Sequence, residues 1–230
     1  MIYSDVHLND LPDFAFKFLE EMIKDEGEWS DDENDWPTKW GIRQLIADKY
    51  GYTGRLKDLS YNDAFRMWAL HSWYEPRYDL IAQQSYLCAK HIMDTSGPAG
   101  DRQATRHLQE LLNGFNDPHK EASRYGSDLK VDGLIGLNTS ERLRQYLNHR
   151  GVIGDGVLAV AINAFQLNHF RATANKNIGK RDFIFGWYHR RVYEDLLEIF
   201  EYMKTATRIK RHGDSIIDDQ KIEFKRPVFT

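Results

Sequence analysis

Apolar positions recur every three or four residues along most of the chain, the spacing of amphipathic helices. Asp10 and Pro12 supply a cap and a first-turn proline. Phe14, Phe18, Leu19, Met22 and Ile23 follow on one face, which predicts a helix that stops at Gly27. Residues 27–41 break the pattern: they are irregular and acidic, and Trp36-Pro37 disfavours helix there. A short helix from Ile42 to Tyr50 comes next, ending at Gly51. Ser60 with Asp63 reads as an N-cap and its acidic partner, opening a helix to about Trp73, before Pro76. Leu80 to about Met93 and Arg102 to about Leu112 read as further helices, the second closed by Gly114. Asn138 with Glu141 caps another, with Leu143 and Leu147 on one face. Val157 to about Phe170 and Trp187 to about Met203 complete the set. Strand signals are few; Asp128–Gly133 and part of the 29–42 segment suit short hairpins. From about Thr205 the chain is polar and charged and reads as a loosely held tail. The predicted fold class is mainly α.

Composition narrows the function. With 230 residues, 41% of them hydrophobic and 13% aromatic, the chain can bury a substantial core, enough for one good-sized domain or two small ones. Lys and Arg number 31 against 35 Asp and Glu, a net charge of −4, which argues against a protein whose main partner is nucleic acid. No run of about 18 apolar residues is present, so no membrane insertion is expected. Met1–Val6 has neither a basic nor an apolar leader region, and the single cysteine, Cys88, has no internal partner. Together these predict a soluble protein made in a reducing cytosol.

Candidate chemistry concentrates between residues 25 and 42. Seven carboxylates fall in the eleven positions from Asp25 to Asp35. A solvated acidic loop is the plainest reading. A calcium loop would put Asp31, Glu33 and Asp35 at positions 1, 3 and 5, but Trp36 and Ile42 then occupy positions 6 and 12, where glycine and glutamate are required. The third reading is a paired-carboxylate hydrolase. Glu26 follows Met22 by four residues and Leu19 by seven, on the face of the core residues. Partial burial near Trp29 and the negative end of a helix would both favour its protonated form, as a general acid requires. Asp35, nine residues on in a polar loop, would stay ionised, and the Thr38 hydroxyl could hold a water. No zinc-ligand pattern, no G-x-S-x-G elbow and no phosphate-cradling glycine loop occurs, so neither metal nor cofactor is expected.

Glu26-Gly27-Glu28-Trp29, then Asp35 and Thr38-Lys39-Trp40-Gly41-Ile42-Arg43, resembles the E-G-G-Y … D-P-G-G-x-T-x-x-G-I-T signature of glycoside hydrolase family 108, N-acetylmuramidases of phages and bacteria. The Glu, Asp, Thr order is similar also to that of phage-type lysozymes. The resemblance implies Glu26 as catalytic acid, with Asp35 and Thr38 positioning the attacking water. It departs at Glu28, where the second glycine would be, and in a shortened segment at Trp36-Pro37, which leaves Asp31, Asp32 and Glu33 as alternatives to Asp35. Trp73-Tyr74-Glu75-Pro76 and Met93–Pro98 resemble two further family stretches. Leu108-Gln109-Glu110-Leu111-Leu112 with Val131–Thr139 is similar to L-Q-x-x-L … V-D-G-x-I-G-P-x-T of the accompanying peptidoglycan-binding-type region, and Phe183–Arg190 to its closing F-x-x-G-W-x-x-R. Asp132-Gly133 and Gly136 read first as turn residues, and Gly186-Trp187 as packing at a helix start.

The resemblance therefore implies a lysozyme-like fold: a catalytic helix, then an acidic loop or small hairpin, then a helical bundle. The expected division is a catalytic half at 1–96, a peptidoglycan-binding-type half at 97–204, and a tail at 205–230. Trp29, Trp36, Trp40 and Tyr74 are the candidate sugar contacts, while Trp68, mid-helix, reads as core. The implied reaction is hydrolysis of the β-1,4 bond between N-acetylmuramic acid and N-acetylglucosamine; analogy with phage-type lysozymes points to inversion, which needs carboxyls about 6.5–9.5 Å apart, and a separation of about 5–5.5 Å would mean retention. The partner is the peptidoglycan glycan strand. The setting is that of an endolysin: a monomer made in the host cytoplasm, released by a holin, and acting on the wall in the periplasm. A non-catalytic peptidoglycan-binding or secretion-activator protein on the same scaffold, and a chitinase-like hydrolase, are the alternatives.

Overall fold

The computed structural model describes residues 1–31, 36–117, 119 and 125–212, the side chains of 206–212 excepted. The chain is mainly helical and divides into two compact units, Met1–Tyr78 and Asp79–Thr230.

In the first unit, α1 (Asp13–Glu26) buries Ala15, Leu19 and Ile23 completely. These residues lie four apart, so one stripe of the helix faces inward. It packs on α3 (Tyr61–Ala69), where Phe16 meets Phe65 with ring centroids 4.6 Å apart. The helix stops at Gly27, whose φ of +74° only glycine adopts without strain. A small antiparallel sheet follows, in the order β1 (Trp29–Ser30), β2 (Thr38–Lys39), β3 (Ile42–Arg43). Trp40 and Gly41 form the two-residue turn between β2 and β3, at φ +56° and +75°. Two left-handed residues give the turn a twist that matches the strands. Ile42 thus belongs to the sheet, paired with Lys39, and the short helix α2 spans only Gln44–Lys49. Ser60 caps α3 as its sequence suggests, accepting from Asp63 N at 3.1 Å and donating to Asp63 Oδ2 at 2.7 Å. A π-helical turn, Leu70–Tyr74, extends α3.

Beyond this the helix boundaries read from sequence need correction. The single helix expected from Leu80 to Met93 is two, α4 (Tyr78–Ala82) and α5 (Tyr86–Ala99). Ser85 breaks them apart: extended at φ −154°, it accepts from Cys88 N at 2.8 Å and donates to Asp155 at 2.6 Å. α5 then runs on through Pro98 to Ala99. Proline has no N–H for the carbonyl four residues back, and Gln166 Nε2 donates to that carbonyl, of Asp94, at 3.3 Å instead. After α6 (Asp101–Gly114), the segment Asp128–Gly133 forms no hairpin. Its backbone pairs with side-chain amides: Asn113 accepts from Leu129 N (2.7 Å) and donates to Leu129 O (2.9 Å), and Gln109 accepts from Gly133 N (2.9 Å).

α7 runs from Leu137 to Lys176 and joins the two helices expected around Leu143 and Ala164, with a kink at Gly151 (φ +60°, ψ −157°). Gly136, extended at φ −129°, precedes its first turn in place of Asn138. By length and composition α7 is apolar enough to cross a bilayer. It nevertheless buries the polar Asp155, Asn163 and Gln166, as a core helix does. α8 (Arg181–Tyr188), a π-helical turn (His189–Tyr193) and α9 (Glu194–His212) replace the helix expected from Trp187 to Met203. The helix passes through the expected start of the tail at Thr205; residues 213–230 lie outside the described residues. Leu87, Ala159 and Ile199 meet where α5, α7 and α9 pack together.

Candidate active site

Glu26 is the last residue of α1, and the β2–β3 turn folds back onto it. A Cβ on Gly41 would lie 2.8 Å from Glu26 Cγ, 3.0 Å from Glu26 Cβ and 3.0 Å from Trp68 Cζ2. Glycine is needed at position 41 twice over, for its positive φ and for this close approach. Trp68 Nε1 donates to the Trp40 carbonyl at 2.9 Å, and Trp40 N donates to the Glu28 carbonyl at 3.1 Å. The hairpin is thereby tied to α3 on one side and to the end of α1 on the other. Glu26 itself is exposed, contrary to the burial expected of it. The helix ends there, so no further turn covers the carboxyl, and its neighbour Gly41 has no side chain to shield it.

The other predicted residues are distributed around this hairpin. Thr38, half-buried on the central strand, pairs with Ser30 on β1 and Arg43 on β3. Trp40 packs edge-on against Tyr61, centroids 5.1 Å apart, and buries its Nε1. Trp29 is 37% exposed beneath the Lys57 ammonium, and Trp36 is 75% exposed. Glu28 holds Lys39 Nζ at 2.7 Å, which clasps β1 to β2. Tyr74 ends the π-helical turn, half-buried. Asp35, with Asp32 and Glu33, lies outside the described residues; Asp31 is exposed at the end of β1. Among the described residues no cluster of His, Cys, Asp and Glu could hold a metal.

Residues 19–97 match the family model described as Glycosyl hydrolase 108, and residues 103–192 match that described as Predicted Peptidoglycan domain. The first region is thus similar to glycosyl hydrolases of family 108. The second is a predicted peptidoglycan domain, and the two make the chain a peptidoglycan hydrolase or binder. No curated protein matches the sequence. Among solved structures the chain is similar to that of Brucella abortus SagA, at 19% identity over 86% of this chain and 95% of that one, with a TM-score of 0.45. That likeness is too slight to assign anything.

Within the family 108 region, sequence reasoning missed the part played by Trp68. Its contacts with Trp40 and Gly41 join residues nearly thirty apart, which no helical periodicity reveals. Its ring also meets His71 edge-on at 6.1 Å, and His71 Nδ1 lies 3.2 Å from the hydroxyl of buried Tyr50. Burial, then the charge of Glu75, pushes the Tyr50 hydroxyl well above its usual pKa. Burial would raise the Glu75 carboxyl too. Hydrogen bonds from Lys49 and Tyr50, with the charges of Lys49 and His71, outweigh burial and lower it. Lys49 Nζ lies 2.7 Å from Glu75, so a polar brace ties the end of α2 to the residue after the π-helical turn.

In the peptidoglycan-domain signature, Gln109 and Gly133 play structural parts. Gln109, fully buried, also donates to Asp132 Oδ1 (3.0 Å) and the Leu134 carbonyl (3.1 Å). Gly133, at φ +75°, has Arg102 O 2.6 Å from where a Cβ would sit. Cys88 is buried, and burial raises its thiol well above the usual range.

Proposed function

We propose that this chain is a muramidase that hydrolyses the β-1,4 bond between N-acetylmuramic acid and N-acetylglucosamine. The observation that carries the reading is the side chain of Glu26, exposed at the end of α1 and flanked by Gly41 of the hairpin, inside the family 108 region. Open on one side, this carboxyl is reachable by a polymer. Glu26 donates a proton to the leaving glycosidic oxygen, while Asp35 and Thr38 hold the water that attacks the opposite face of the sugar, with inversion. Trp29 and Trp36 offer exposed rings to the flanking sugars, and Trp40 and Tyr74 complete the set. The following domain keeps the enzyme on its polymer. The setting we infer is that of an endolysin, accumulated in a host cytoplasm and released by a holin to lyse the wall from the periplasmic side.

The test is release of reducing muramic-acid ends from purified sacculi, identified by mass. Glu26→Gln should lower turnover at least about a hundredfold, the typical contribution of a general acid, with binding retained. Undiminished turnover would assign the acid to another carboxylate. A wild type that binds sacculi yet releases no new ends would make the chain a binder, and preferential digestion of chitin oligomers would make it chitinase-like.

A further inference from the structure

The peptidoglycan domain carries an aromatic stack that packing alone leaves incomplete. Phe170, on α7 and 4% exposed, forms its floor. Trp187 lies over it with centroids 5.1 Å apart at 28°, and Phe183 continues the stack at 6.1 Å and 21°, itself 54% exposed. The end of α5 at Gly97-Pro98 makes the opposite wall, enclosing a groove of about 340 Å³ beside Trp187. The ionisable side chains that line it are His169, Lys180 and Arg191, and no carboxylate is among its lining residues. Arg191 is anchored by an ion pair with Asp94, whose other carboxylate oxygen accepts from Gln166 Nε2 at 2.6 Å. Exposed Lys180 has its ammonium 5.7 Å from the Phe183 ring centre.

An apolar ring surface bordered by polar groups suits the flat, hydrogen-bearing face of a sugar. A rim of basic groups suits carboxylates. We propose that this groove seats a glycan strand with one sugar ring packed against the groove-facing edge of Trp187, with Lys180 and His169 facing the acidic peptide stem that the sugar carries. Peptidoglycan presents both features on one repeat unit, whereas chitin presents the sugar without the acid. The assignment rests on the peptidoglycan reading of the domain and gives it a location.

Binding is measured on the full chain carrying Glu26→Gln, so that the polymer is not consumed. The probes are purified sacculi, a soluble disaccharide with its acidic peptide stem, and a chitin oligosaccharide. Lys180→Glu should weaken the stem-bearing fragment roughly tenfold and leave the chitin oligosaccharide unchanged. Trp187→Ala should weaken both, and Trp187→Phe, which keeps the stack and serves as the folding control, should restore most of the affinity. If the parent binds sacculi and both Lys180→Glu and Trp187→Ala bind as well as it does, the groove is not the site, and the peptidoglycan reading stands without it. If the parent binds neither sacculi nor fragment, that reading fails and this inference with it.

Discussion

Gly41 sits so close to Glu26 that a single added carbon would fall 2.8 Å from Glu26 Cγ. The proposed catalytic position at the end of α1 and the turn of the hairpin are therefore one packing unit. Gly41→Ala would meet both a positive φ and this contact, with Trp68 closing the third side at 3.0 Å. It should destabilise the protein by about 2 kcal/mol, measured by urea unfolding. Displacing Glu26 should lower glycan turnover by roughly tenfold to a hundredfold. Turnover and stability both at the wild-type level would contradict the arrangement.

Trp68 contributes through one donor as much as through its ring. Trp68→Phe keeps an aromatic against Gly41 but removes the bond to the Trp40 carbonyl, 2.9 Å in length. The expected cost is about 1 kcal/mol in urea unfolding, with a severalfold drop in turnover as the hairpin loosens. A drop in stability with no change in turnover would confine Trp68 to the core role its sequence position suggests.

Gln109 replaces a strand partner for the 132–134 segment, so its loss should be felt beyond its own volume. Gln109→Leu leaves Gly133 N and the Leu134 carbonyl without their side-chain partner. An expected loss of about 2–3 kcal/mol follows from stranding these groups, read as a lower thermal midpoint. A change under about half a kcal/mol would mean the segment is held by other contacts.

Two neighbouring groups in the second unit give stability slopes of opposite sign. Burial, then the charge of Lys90, lowers the His91 imidazole from 6.5 to about 3. The unfolded chain therefore binds the extra proton between those values, so this contribution is present above about 6.5 and is lost as the pH falls. Burial raises the Asp195 carboxyl from 3.8 to about 7, with Asp94 and Glu198 adding to it against Lys90. Here the folded chain holds the extra proton, so this contribution is present below 3.8 and is lost as the pH rises through 7. His91 Nδ1 and Asp195 Oδ2 lie 3.7 Å apart. Thermal midpoints of Asp195→Asn should climb from pH 4 to pH 6.5, and those of His91→Gln should fall from pH 4 to pH 7. Parallel profiles in the two variants would refute the assignment.

The sequence by itself determined whatever depends on near neighbours. The inward face of α1 around Leu19 and Ile23, the stop at Gly27, and the Ser60 cap follow from helical periodicity and local hydrogen bonding, which act within a few residues. The short hairpin within the 29–42 segment was legible for the same reason, while the family resemblance made Glu26 the candidate acid. Tertiary structure decided what depends on residues far apart in the chain. Asp155 draws Ser85 out of a helix that periodicity would have continued, and Gln166 supplies the donor that lets α5 run through Pro98. Asn113 and Gln109 take the backbone bonds a second strand would have used. Trp68 reaches across to the hairpin, and Gly41 leaves Glu26 open to solvent where the helix pattern alone put it against the core. Each of these is a long-range partner satisfying a backbone or side-chain group, and the energy of such pairing exceeds the small local preferences a sequence displays.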